Sequence, residues 1–207
     1  MTDIAHVTLE VTDQASAEAF YRTVFGPDLP VQVQASDAPT TGFRGFTVGV
    51  DLRGPAAVDD VFARALAAGA TAIKPPEAQQ WGGYSGVLRA PDGSVWKLAT
   101  SAAPGAGGTD PTIERVVLLL GVADVAASTR AYVDRGFEVA KDYGQYVELE
   151  PGDGAVTLSL YERTGLAAEF GVDPEGSGAH GLAIGAVGGG FVDADGFAWE
   201  TAPALEA

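Results

Sequence analysis

The chain has 207 residues, 46% of them hydrophobic, which is enough to bury a core and too many for wholesale disorder. Its 28 acidic and 12 basic side chains give a formal charge of −16, which repels nucleic-acid backbones and excludes DNA or RNA as an expected partner. Cysteine is absent, so disulfides, thiolate metal ligands and cysteine nucleophiles are excluded, and any metal must be held by histidine and carboxylates.

The longest apolar run, Val116 to Leu120, is strand-sized and far short of the roughly 18 residues of a membrane span. The first residues carry neither the basic nor the apolar region of a signal peptide, so the expected location is cytoplasmic, with no membrane partner. Taken in order, the pattern predicts a strand at 4–11 and a helix at 14–24 capped by Asp13. Strands follow at 30–35 and 43–51. A helix at 56–68 is marked by Val58, Val61, Phe62, Ala65 and Leu66 at helical spacing, and it stops at Gly69. Strands at 71–74, 83–89 and 94–100 complete the first half, the last two joined by the turn Pro91-Asp92-Gly93. The segment 101–111 is small, flexible and aperiodic, and reads as a linker between domains at 1–100 and 112–207. In the second half strands are expected at 113–122, 137–141, 144–150, 155–161, 180–187 and 196–202. A helix is expected at 125–134 and a Gly/Pro-rich loop at 171–178.

The halves repeat each other in order. Ile4 to Asp13 aligns with Arg115 to Asp124, and Gly42 to Gly49 with Gly178 to Gly185. Ala90-Pro-Asp-Gly-Ser-Val-Trp-Lys97 aligns with Asp193-Ala-Asp-Gly-Phe-Ala-Trp-Glu200. Where the first half has its second helix, the second half has only Val187-Gly-Gly-Gly-Phe191.

This ordered set, with Ala67-Ala-Gly-Ala-Thr71 at a helix exit and Trp81-Gly-Gly-Tyr-Ser-Gly86 before the last hairpin, resembles the glyoxalase/bleomycin-resistance/dioxygenase (vicinal oxygen chelate) superfamily. The resemblance implies an α+β fold of tandem βαβββ modules in two domains, the fourth module lacking its helix. Ligands would bind on the concave sheet face. Family enzymes hold a divalent metal with His, Gln or Glu from a module's first strand and Glu from its last. By that likeness His6 and Glu200 stand at ligand positions, Val117 and Lys97 at their counterparts. Alternation puts His6, Thr8 and Glu10 on one side of their strand. Lys97 argues against metal, because a charged ammonium donates and does not coordinate. His180 falls one residue out of phase, which a bulge at Gly178 or Gly181 would correct.

Aromatic Trp81, Tyr84, Tyr143 and Tyr146 are candidates to wall a cleft for a planar or cationic ligand, whereas Trp96 and Trp199 read as packing residues. Arg44 is a candidate for a ligand carboxylate. No phosphate loop or Gly-x-Ser-x-Gly elbow is present. The expectation is a small-molecule binding protein, monomer or homodimer, without metal, using His6, Glu10, Arg44, Trp81, Tyr84, Lys97 and Tyr146. A cationic ligand such as an antibiotic suits the acidic charge. The alternative is a lyase, isomerase or dioxygenase with Zn, Ni, Fe or Mn on His6, His180 and Glu200.

Overall fold

A computed structural model describes residues 2–103 and 110–203. Of the linker expected at 101–111, residues 104–109 lie outside the described residues. The chain forms two compact units that interleave along the sequence: Met1–Thr12, Pro30–Phe46 and Leu118–Ala207 make one, Asp13–Leu29 and Thr47–Val117 the other.

The second of these carries both helices of the first half. Helix α1 (Gln14–Phe25) begins at Asp13, whose carboxylate accepts the Ser16 N–H at 3.0 Å. It buries Ala17, Phe20, Tyr21 and Val24, the i, i+3, i+4, i+7 stripe of an amphipathic helix. Helix α2 (Pro55–Ala67) opens with proline at its first turn, where the missing N–H costs nothing. Strand β4 (Phe46–Leu52, all but Phe46 in this unit) lies parallel to β7 (Val95–Thr100). β7 pairs antiparallel with β6 (Tyr84–Arg89), and β6 with β5 (Thr71–Ala78). β5 runs four residues beyond the expected 71–74, through Pro75 and Pro76, with register shifts where it passes them. Prolines survive there because β5 is the last strand in its row and needs no outward N–H.

In the other unit β1 (Ile4–Val11) lies antiparallel to β13 (Leu182–Ala186) and parallel to β2 (Val31–Ala35). β13 is followed in the sheet by β15 (Ala198–Thr201) and β14 (Phe191–Val192). On its other side β1 meets β11 (Val156–Glu162), to which β10 (Tyr146–Leu149) and β9 (Val139–Asp142) attach in turn. β11 leads to β8 (Ile113–Val122), whose residues from Leu118 onward belong here. Helix α3 (Val125–Val133) is capped by Asp124. From Val187 the chain turns directly into β14, so no helix follows β13, as expected.

Besides the longer β5, β14 and two further features depart from the sequence expectation. Helix α4 (Arg163–Phe170) has no counterpart in the expected elements; Glu162 caps it, accepting the N–H groups of Thr164 and Gly165 at 2.9 and 2.6 Å. These bonds hold the Glu162 carboxyl below its ordinary pKa. The loop expected at 171–178 contains β12 (Gly176–Gly178), paired with β3 (Thr40–Gly42) in a separate two-stranded sheet. The strand expected at 43–51 accordingly starts at Phe46.

Among the described residues, no helix is long and apolar enough to cross a membrane.

Candidate functional site

Strand register decides which side chains share a face. His6 stands opposite Gly185 on β13, and Gly185 opposite Glu200 on β15, so the three occupy one row across three strands. The glycine is required by the neighbour: a β-carbon on Gly185 would come within 2.5 Å of the His6 ring. The imidazole therefore lies over the glycine backbone, between its own strand and Glu200. Trp199, one residue from Glu200, points the other way and packs on Tyr132 of α3 with ring centroids 5.4 Å apart. The row thus faces away from α3.

Ile4 pairs with both Ala186 and Val156, which places Val156 on the α3 side and Ser159 with Gly185 on the opposite side. Ser159 pairs with Glu148, and Tyr161 with Tyr146. Strand β10 consequently adds Tyr146 and Glu148 to the His6 face. The Tyr146 hydroxyl donates to Glu148 Oε2 at 3.1 Å and meets Ser159 Oγ at 3.2 Å; Lys141 Nζ lies 3.5 Å from Glu148 Oε1. Tyr143 stacks on Tyr146 at 6.0 Å but is 69% exposed, an edge rather than a wall. Glu10 shares the alternation of His6 and Thr8 and pairs with Gln34 of β2. One face of one unit thereby gathers His6, Glu10, Tyr146, Glu148 and Glu200. Its floor of Ala183, Gly185 and Ser159 is small and buried.

The remaining expected residues lie elsewhere. Arg44 is 8% exposed, and its guanidinium donates to the carbonyl oxygens of His180 (2.8 Å), Glu10 (3.3 Å) and Gly181. It ties backbone segments together. Lys97 belongs to the other unit, opposite Gly49 of β4. Tyr84 is in that unit too but on the opposite face from Lys97, since it pairs with Thr100 while Lys97 pairs with Val87. Its hydroxyl donates to Asp59 of α2 at 2.8 Å. Trp81 sits at the tip of the β5–β6 hairpin, 56% exposed, with its ring against Gly83.

His180 precedes β13 and stacks on Phe197 at 4.0 Å. Its Nδ1 faces the Arg44 carbonyl at 2.6 Å and its Nε2 the Asp195 carbonyl at 3.0 Å. Carbonyl oxygens only accept, so in this arrangement neither nitrogen turns a lone pair to a metal. The donor set needed for a two-histidine, one-carboxylate centre is therefore incomplete on the His6 face, which offers His6 and Glu200 with a glycine between them. Among the described residues, no three His, Asp or Glu side chains are grouped to hold a metal ion.

Beneath each last strand lies a tyrosine–tryptophan cluster. Tyr21 donates to Asp92 at 2.8 Å and meets Ser94 Oγ at 2.9 Å, and that hydroxyl also accepts the Trp96 indole N–H at 2.9 Å. In the second half Tyr132 donates to Asp193 at 2.5 Å, and the buried indole nitrogen of Trp199 has no hydrogen-bond partner of good geometry. Burial, with the nearby Asp92 and Asp193 charges, raises both tyrosine pKa values well above the ordinary one.

No protein-family model matches the sequence, and no curated protein is similar to it. Solved structures are. Glyoxalase I from Zea mays superposes with a TM-score of 0.63 at 18% identity, covering 96% of this chain and 91% of that one. A point mutant of the same maize enzyme gives 0.61 at 17%, covering 96% and 92%. A glyoxalase/bleomycin resistance protein/dioxygenase family enzyme from Burkholderia phytofirmans PsJN, 24% identical, covers 48% of this chain and 99% of its own at a TM-score of 0.45. The likeness to the maize enzyme over nearly the whole chain shows the fold, an α+β arrangement of tandem βαβββ modules.

Proposed function

We propose that this chain, built on the glyoxalase I fold, binds a small organic cation on the His6 face without a metal ion. The observation that carries the reading is the register that brings Glu10, Glu148 and Glu200 to one face with His6 and Tyr146, over a floor of glycine, alanine and serine. Three carboxylates supply charge-assisted acceptors for ammonium or guanidinium groups, while an aromatic ring covers an apolar body. A cationic antibiotic is one ligand of that chemistry. The metal-dependent lyase, isomerase or dioxygenase alternative needs a third donor, and His180 is turned to backbone carbonyls.

The test is calorimetric titration of cationic antibiotics and polyamines into the whole chain. Binding should weaken at least tenfold in Glu200→Gln and in Glu148→Gln. A panel in which nothing binds sinks the proposal. Near-stoichiometric binding of Ni, Zn, Fe or Mn that disappears in His6→Ala would replace it with the metal-dependent reading.

A further inference from the structure

In the unit that holds α1 and α2, the two helices pack together, and Arg64 of α2 donates to the Val24 carbonyl of α1 at 3.1 Å. Among the described residues no helix lies between β13 and β14, which are joined through a glycine turn, so the fourth module sets no second helix beside α3. Along its flank lies an open cavity of about 300 Å³, lined by α3, β14 and the segment 193–195. That is the small end of the range for ligand sites. The His6 face looks away from α3, so the cavity is separate from it.

The lining is apolar at Ala127 and Ala131, one turn apart on α3, and at Phe191, whose ring stacks on Trp199 at 5.1 Å. The rest carries Asp193 and Asp195, held in place by N–H and O–H donors. Asp195 accepts the Ala123 N–H at 2.8 Å and the Ser128 hydroxyl at 3.2 Å. Asp193 accepts the N–H groups of Asp195 and Phe197 and the Tyr132 hydroxyl. With the α3 cap Asp124, the cavity lining holds three carboxylates against one guanidinium, that of Arg135, which lies 4.2 Å over the Phe191 ring. Each carboxylate has acceptor capacity beyond its internal bonds.

We infer that this cavity is a second ligand site, taking a small cation with a flat apolar body: the body against Ala127 and Ala131 of α3, the ammonium toward Asp195. The inference does not rest on the His6-face proposal.

The experiment titrates benzylammonium into the full chain by calorimetry and maps it by amide chemical-shift changes, with benzyl alcohol as the neutral counterpart. Benzylammonium should bind and shift the amides of 123–128 and 193–197. Binding should weaken at least tenfold in Asp195→Asn and be lost in Ala127→Leu, which fills the cavity without touching a carboxylate. Thermal melts verify that both variants fold. No binding, equal binding of benzyl alcohol, unchanged binding in folded Ala127→Leu, or shifts centred on His6 and Gly185 would each overturn it. The last result would support the His6-face proposal instead.

Discussion

The two units carry the same three-strand row with different contents. In one, Val117, Gly49 and Lys97 lie together; in the other, His6, Gly185 and Glu200. The glycine recurs, but its neighbours differ. A β-carbon on Gly49 would meet nothing closer than 3.8 Å, whereas one on Gly185 would run into the imidazole. The packing below the rows diverges as well. Ser94 is replaced by Phe197 at the aligned position, which removes the hydroxyl that accepts the Trp96 N–H and leaves the Trp199 N–H without a hydrogen-bond partner of good geometry. Asp195, aligned with Asp92, no longer takes the tyrosine; it reaches α3, and Asp193 takes Tyr132 in its place. Duplication kept the aromatic packing and let the polar wiring drift. The row with a histidine and a carboxylate is the one proposed above for recognition.

Replacing the tryptophans tests that comparison most severely. Trp96→Ala and Trp199→Ala should each cost roughly 3–5 kcal/mol in urea unfolding, because both empty a core. Trp199→Ala should be the milder, since it also discards an N–H with no hydrogen-bond partner of good geometry; the reverse order would mean that the indole is better bonded in solution. Alkaline titration comes next. A raised tyrosine pKa leaves the full stability in place below the unfolded value of about 10, and stability is lost as pH climbs above it. Neither Tyr21 nor Tyr132 should ionise while the chain is folded, and their absorbance change should coincide with unfolding. Ser94→Ala orphans the Trp96 N–H and should cost about 1–3 kcal/mol. Last, Gly185→Ala should displace the His6 ring and weaken cation binding at least tenfold by calorimetry. Gly49→Ala should leave both binding and melting temperature near those of the parent. Equal effects of the two glycine changes would remove the distinction between the rows.

Much of the fold is legible in the sequence because period-two and helical patterns are strong here. Strand 4–11 and strand 113–122 have the observed limits, and the glycines at 188–190 mark the absent helix. Helix α4 is not legible: Leu166, Ala167 and Phe170 are its buried residues, Gly165 interrupts it, and glutamate is an unusual cap. β3 and β12 are exposed Thr, Ser and Gly segments without a hydrophobic pattern. On the His6 face, alternation places His6 with Glu10. Glu148 escapes a sequence reading although it stands two residues from Tyr146, and only pairing with Ser159 puts both strands on one face. The carbonyl partners of Arg44 and His180 come from distant segments, which no local spacing reveals.

The interleaving of the units bears on how the chain can be cut. β1 comes from the start of the sequence, yet its antiparallel partners β13 and β11 come from beyond residue 150. A break in the 101–111 region would leave each fragment with an unfinished sheet, and the His6–Gly185–Glu200 row would exist in neither. The fragments should need each other to regain it, so that ligand binding reports their reassembly.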